Sequence, residues 1–361
     1  MPSTKPGLSI DKEGICSACR SVEKKKEINW EERSKKLSLI CDEIRGKNGN
    51  GYDCVVPVSG GKDSIYQAYM MSKIYKLKTL GIVMVPHLQT EEGIKNLNSL
   101  VSNLGIDLQK ISVRPSTMRK IRRIALLEIG NPAYAEHRVM FAGVARAALF
   151  YKAPLVVWGE DIAVEFGGNV SESSNDGSAE DLSNNDLFRE SNFEDLLKRR
   201  INENELFFYQ YPSQSEIKNI GVKSIYLGFY HWWDGYKHFE LAKKFGFQSR
   251  AKGPLSGNIL SYDNIDEKLC EIHIWFKFLK FGFWRPTDQC CYQIWNGRMT
   301  RKEAVEIVNS KQYEFPYEYL DEFLEFHEIT KKEYLECEDK FRNLEIWHKK
   351  NNKWRLINEL T

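Results

Sequence analysis

Six consecutive residues, Ser59-Gly-Gly-Lys-Asp-Ser64, carry the groups needed to hold a chain of phosphates. Glycines such as Gly60 and Gly61 let backbone N–H groups close on an anion, and a helix starting at the loop adds unpaired donors and a partial positive charge. Lys62 supplies a full positive charge, and Asp63 supplies a hard oxygen suited to magnesium. The apolar run through Val58 ends at Ser59, and an amphipathic pattern runs from Ser64 to Leu77, so the loop joins a strand to a helix. Two commoner phosphate loops are excluded. The ATPase P-loop needs Gly where Val56 stands and Ser or Thr where Asp63 stands, and the dinucleotide fingerprint Gly-x-Gly-x-x-Gly is absent at this strand end.

Other residues with chemistry lie further along. Trp158-Gly-Glu-Asp161 closes a later apolar run, so Gly159 is followed by two carboxylates at a strand end. Glu160 and Asp161 can bind magnesium, orient a substrate or take a proton from an incoming nucleophile; capping the next helix is the other role open to them. Val85, at the end of the second apolar run, stands where an adenine ring is expected. Arg138, in Asn131-Pro-Ala-Tyr-Ala-Glu-His-Arg138, offers a fork of donors to a phosphate or a sugar carboxylate, or else pairs with Glu136. Tyr230, His231, Trp232 and Trp233 combine aromatic faces with hydrogen-bonding groups, which suits a sugar or a uracil ring; core packing is the alternative. Cys16 and Cys19 make half a zinc site, and Cys290 with Cys291 would complete four sulfurs if the chain folds back; isolated thiols are the alternative. Cys41, Cys54, Cys270 and Cys337 lie on apolar faces and read as packing.

The elements that must position these residues alternate regularly. Strands are expected at Cys54 to Val58, Thr79 to Val85, Leu108 to Val113, Leu155 to Trp158 and Ser224 to Leu227, with helices between. That order implies an α/β fold with a Rossmann-like parallel sheet covered on both faces, and ligands at the carboxyl ends of its strands. Residues 1–50 read as an N-terminal appendage with the Cys-x-x-Cys and a helix from Trp30 to about Ile44; residues 51–260 read as the nucleotide-binding domain. Within it a polar insertion over 167–219 reads as a mobile loop or lid, or as a tolerated surface segment. Residues 261–361 read as an α-helical C-terminal module, with Lys349 to Thr361 disordered.

Composition narrows the class. The 361 residues carry a formal charge of +2, which argues against wrapping nucleic acid as the main task. No run approaches the ~20 apolar residues of a membrane span, and the N-terminus lacks a signal-peptide layout, so a soluble cytoplasmic protein without a membrane partner is expected. Eight cysteines in a chain of this length are not a disulfide framework.

The Ser59 loop resembles the PP-loop of the ATP pyrophosphatases, the adenine nucleotide alpha hydrolase-like type. There the loop grips the pyrophosphate part of ATP while a substrate oxygen attacks the α-phosphorus, which implies AMP and pyrophosphate as products. Nearly end to end, the chain is similar to the N-acetyl sugar amidotransferases of bacterial surface-polysaccharide and nonulosonic-acid pathways. Pro2-Ser-Thr-Lys-Pro-Gly7, Gly14-Ile-Cys-Ser-Ala-Cys19, Ile28-Asn-Trp-Glu-Glu-Arg33, the Ser59 loop and Gly159-Glu160 carry the likeness, with Lys280-Phe-Gly-Phe283, Thr287-Asp288 and Asn296-Gly-Arg-Met-Thr-Arg301. The resemblance implies an enzyme of lipopolysaccharide O-antigen synthesis that uses ATP and Mg²⁺ to turn the acetamido group of a nucleotide sugar into an acetamidino group. It also implies two partners similar to the histidine-pathway pair: a glutaminase subunit and a cyclase-like subunit that channels ammonia. Family members usually begin upstream with another Cys-x-x-Cys and often carry Cys where Pro286 stands here, which leaves the zinc ligands open. A tRNA-modifying enzyme of the thiolase or lysidine synthetase type uses the same loop, but the basic appendage or catalytic cysteine pair it wants is not evident. A non-catalytic nucleotide-binding scaffold is a third reading. No glutaminase motif is visible in the chain.

Overall fold

The computed structural model describes residues 1–161, 165, 176–179 and 191–360. The five apolar runs form β1 (Cys54–Pro57), β2 (Thr79–Met84), β3 (Asp107–Ile111), β4 (Leu155–Trp158) and β5 (Lys223–Tyr226). All pair in parallel, in the order β3-β2-β1-β4-β5, with Val55 opposite both Leu80 and Val156. Successive side chains point to opposite faces, so Val55, Ile82 and Val156 enter one core while Val56, Val83 and Val157 enter the other. A sheet buried on both faces explains why these strands read as continuous apolar runs.

Helices supply the two covers. After α1 (Ser17–Lys26), helix α2 (Trp30–Ile44) buries Leu37, Cys41 and Ile44 on one face, beside α3 (Lys62–Tyr69) and α4 (Glu91–Leu104). Asn29 and Thr90 cap α2 and α4 by accepting from the backbone N–H three residues on. The opposite face carries α5 (Pro115–Ile129) and α6 (Tyr134–Tyr151). Ala142, Gly143, Ala147 and Ala148 let α6 lie close to the sheet. The helix expected from Ser64 to Leu77 is α3, prolonged by a π-turn over Met70–Ile74.

Residues 167–175 and 180–190 of the expected insertion lie outside the described residues; its later part holds α7 (Ser191–Arg200) and α8 (Gln214–Ile220). Beyond β5 come α9 (Leu227–Tyr230) and α10 (Gly235–Lys243), then α11 (Cys270–Phe281), α12 (Arg285–Trp295), α13 (Arg301–Lys311), α14 (Leu320–His327) and α15 (Lys331–Phe341). Trp275, Phe278, Trp284 and Trp347 pack edge-on or stacked among these helices, in the same core as α5 and α6. The chain end is not disordered as expected. β6 (Trp347–Lys350) and β7 (Lys353–Leu356) form an antiparallel hairpin, anchored by buried Trp347 and Leu356. Among the described residues, no helix is long and apolar enough to cross a membrane.

Segment 265–268 runs beside 88–90 at the end of β2: the Thr90 N–H donates to the Asp266 carbonyl at 3.2 Å, and the Lys268 N–H to the Leu88 carbonyl at 3.0 Å. The approach is close enough to require Gly93, where a Cβ would stand 2.5 Å from Asp266 Cα. Backbone cannot yield as a side chain end can, so Gly93→Ala is expected to destabilise the fold by about 1–3 kcal/mol in urea unfolding. An unchanged midpoint would show that this contact is not made in solution.

Candidate active site

The sheet order reverses between β1 and β4, the place where an open α/β sheet leaves a crevice at its carboxyl edge. The Ser59–Ser64 loop leaves β1 there. Its own hydroxyls brace it: Ser64 Oγ accepts from the Ser59 N–H at 3.3 Å and donates to the Gly61 carbonyl at 2.9 Å, while Ser59 Oγ accepts from the Gly61 N–H at 3.2 Å. Gly60 has φ +88°, and a Cβ on it would meet the Leu97 nitrogen at 2.8 Å. Only glycine fits both the conformation and the space.

Lys62 lies half-buried at the first turn of α3, its Nζ 2.9 Å from Asp63 Oδ2 and 2.7 Å from Asp263 Oδ1. Burial opposes its charge, but Asp263 and Asp63 hold the ammonium above the ordinary lysine value. Asp63 is gripped from its other oxygen by His238 Nδ1 at 2.7 Å. Burial opposes this charge also, yet Lys62 and His238 hold the carboxyl well below the usual range. Tyr66 stacks on His238 at 3.8 Å and Trp233 meets it edge-on at 4.5 Å, fixing the imidazole between two aromatic faces. Glu160 follows β4 within electrostatic range of Asp63 and Lys62; burial, then Asp63, pushes its carboxyl up to about 7. Asp266 bonds to the Ser59 hydroxyl, and burial raises it above its usual value. Two carboxylates of one strap, Asp263 and Asp266, thus sit on the lysine and the serine of the Ser59 loop.

The structure therefore gathers Val58, Ser59, Gly60, Gly61, Lys62, Asp63, Ser64 and Glu160 around one point. Gly159 lies there too: its carbonyl accepts from the Gly228 N–H at 2.9 Å, and a Cβ on it would overlap the Gln67 amide. Asp161 adjoins Glu160, and Val85 continues β2 by donating to the Ile111 carbonyl at 2.9 Å. The expected substrate residues divide. Arg138 turns its fork inward, to the Tyr209 carbonyl and the Tyr134 hydroxyl, each at 2.8 Å. Tyr230 bonds the Asp176 carbonyl and His231 the Tyr75 hydroxyl, so both serve the fold near α2. Trp233 backs His238, and Trp232 edges a cleft of about 440 Å³ with Trp295, Asp234 and Arg298. His238, Asp263 and Asp266 were missed because each joins the loop from a segment about 175 to 207 residues away, with no local motif to announce it.

The four-sulfur zinc site is not assembled. Cys16, Cys19 and Cys291 gather near the Met1 amine, whereas Cys290 packs with Ala304 and Val308. Neighbours on a helix point ~100° apart, so two adjacent cysteines of α12 cannot both face one metal. Among the described residues, no three His, Cys, Asp or Glu side chains converge on a single metal position.

Because Glu160 is raised in the folded state, its contribution to stability is full below pH ~4.5, its unfolded value, and is lost as pH rises through about 7. Glu160→Gln is therefore expected to leave the melting temperature nearly unchanged at pH 5 and to raise it by a few degrees at pH 8. Equal melting curves at pH 8 would contradict this.

Residues 257–361 match the family described as LPS biosynthesis protein WbpG-like, C-terminal domain, and residues 35–126 match NAD synthase. An uncharacterized protein of Methanocaldococcus jannaschii is 27% identical over 105 residues, 29% of this chain; the chain spans only 37% of that relative's length. Among solved structures, an NMN synthetase from Francisella tularensis aligns over 85% of this chain and 96% of its own, at 15% identity and a TM-score of 0.39. An NH3-dependent NAD synthetase from Campylobacter jejuni aligns over 54% and 92%, at 15% identity and 0.30. A U34-tRNA thiolase from Methanococcus maripaludis, solved with its [4Fe-4S] cluster, aligns over 74% and 78%, at 16% identity and 0.32. The NAD synthase-like segment thus carries the Ser59 loop at the switch point of a parallel five-stranded sheet, and a WbpG-like C-terminal domain follows it in the same chain.

Proposed function

We propose that this protein is an AMP-forming amidotransferase that converts the acetamido group of a nucleotide sugar to an acetamidino group in lipopolysaccharide O-antigen synthesis. The observation that carries the reading is the union, in one chain, of a PP-loop whose Lys62 is held by two carboxylates with a C-terminal domain like that of an LPS biosynthesis protein. In this reading residues 51–260 bind ATP, and 261–361 with the 1–50 appendage complete the enzyme.

An amide carbonyl is a poor electrophile, because the resonance visible in its ~18–20 kcal/mol rotation barrier delocalises the nitrogen lone pair. The acetamido oxygen attacks the α-phosphorus of ATP and pyrophosphate leaves. Ammonia adds to the resulting imidate carbon, AMP departs with the oxygen, and a proton is given up. Lys62 and the loop amides hold the phosphates and the charge that develops on them. Glu160, poised near 7 beside the loop, is placed to take the proton. Asp63 and Glu160 offer hard oxygens for magnesium, which commonly takes one or two carboxylates and completes its shell with phosphate and water; the ion supplies charge neutralisation. A glutaminase subunit and a channelling subunit provide the ammonia, since hydrolysis competes for the activated sugar.

With ATP, Mg²⁺, ammonium and a panel of UDP-linked N-acetylhexosamines, product mass spectrometry is expected to show O replaced by N–H in one sugar, with glutamine inactive in the pure protein. Pyrophosphate exchange into ATP is expected only with that sugar present. Exchange without any sugar, or with tRNA alone, would overturn the assignment. Lys62→Met is expected to cut exchange by about 10²–10³-fold, the size of a lost charge-stabilising donor.

A further inference from the structure

Linked to the phosphate loop through segment 263–271, at the seam of α5, the first turn of α6 and the starts of α11 and α12, several shielded polar atoms have no hydrogen-bond partner among the described residues. They are Nη2 of Arg122 and Arg285, Nδ1 of His137 and His273, Oε2 of Glu136 and Oδ1 of Asn131. Arg122 is only 1% exposed, with Nη1 on Glu136 and Nε 3.2 Å from His327 Nε2. The His137 and His273 rings meet edge-on at 5.5 Å. Each buried orphan costs about 1–3 kcal/mol, so a cluster of them is kept where something else supplies the partners.

We propose that this seam is the subsite for the hydroxylated ring of the acceptor sugar, an inference that rests on the amidotransferase reading above. The free atoms are of mixed sense. Guanidinium N–H groups donate, the carboxylate and amide oxygens accept, and a neutral imidazole nitrogen does either. Burial lowers His137 to about 4 and His273 well below the usual value, so both rings are neutral at pH 7. Sugar hydroxyls each donate and accept, and match such a set. A phosphate would want donors alone, and it would face Glu136 and Glu267, which lie beside Arg122.

The seam also adjoins the nucleotide site. Glu267 follows Asp266, which bonds Ser59. A second path runs from Lys62 through Asp263 to Gln289 at 3.2 Å, on to Asn258 at 3.0 Å, to Glu271 at 3.1 Å and so to Arg285 at 3.4 Å. Both ends of the seam are thereby linked to the loop through relays of side chains, and the C-terminal domain supplies His273 and Arg285.

The test is calorimetric titration of the full chain with the UDP-N-acetylhexosamine panel and, separately, with adenosine 5′-(α,β-methylene)triphosphate. His273→Phe and His137→Phe remove one polar nitrogen each and keep an aromatic ring. For the sugar that the wild type binds, each variant is expected to raise Kd at least about tenfold, the worth of one ~1.4 kcal/mol hydrogen bond, with the nucleotide Kd and melting temperature unchanged. Wild-type sugar affinity in both variants would overturn the subsite and leave the amidotransferase reading intact. Parallel losses of sugar binding, nucleotide binding and melting temperature would mark the seam as structural and overturn it too. If no sugar of the panel binds the wild type, the amidotransferase reading falls and the subsite falls with it.

Discussion

A lysine ammonium taken out of water must be met by negative charge, and in this chain Lys62 is met twice, by Asp63 and by Asp263. The rest of the arrangement follows from that demand. Asp63 is adjacent in sequence and costs the fold nothing to bring near. Asp263 comes from beyond the sheet, so the chain must return across the loop, where Arg250 holds the Asp263 carbonyl at 2.7 Å and Gly93 gives Asp266 room. His238 in turn fixes the second oxygen of Asp63, and its ring is fixed by Tyr66 and Trp233. A cation held this way is preorganised: phosphates, in the reading proposed above, would replace carboxylates on a group already largely desolvated and aimed.

The same economy shapes the surroundings. Carboxylates near the loop are of two kinds, set by environment alone. Asp63 is kept ionised by Lys62 and by its hydrogen bond to His238, while Glu160, on which burial and the charge of Asp63 outweigh Lys62, is raised toward neutrality. Groups of one chemical type thus hold different protonation states at one pH, the usual condition for acid–base work at a phosphate site.

The sheet was legible because each strand is a short apolar run closed by polar or glycine residues, and the observed ends differ from the expected ones by one or two positions at most sites. The Ser59 loop was legible because its residue types and spacing are contiguous. What could not be read was assembled across distance: Asp263 and His238 carry no local signal. Arg138 was open for the opposite reason, since a lone arginine at a helix start looks the same whether it meets a ligand or, as its Nε does here, the Tyr209 carbonyl. Two errors had readable signs. Adjacent cysteines on a helix diverge, and Asn351-Asn352, both at positive φ between β6 and β7, is hairpin turn chemistry that a basic, polar stretch disguised as disorder.

The strap that brings Asp263 and Asp266 to the loop begins inside the WbpG-like region, and Leu269, Ile272 and Phe276 from that region share a core with Val55 and Ile82 of the sheet. The two halves recognised by sequence are therefore not interchangeable cassettes. Cutting the chain near residue 257 would strip one sheet face of its apolar cover and leave Lys62 with half its counter-charge. A recombination event that grafted another C-terminal domain onto this loop would have to carry matching carboxylates with it, so the boundary between sequence families is not a boundary of autonomous function.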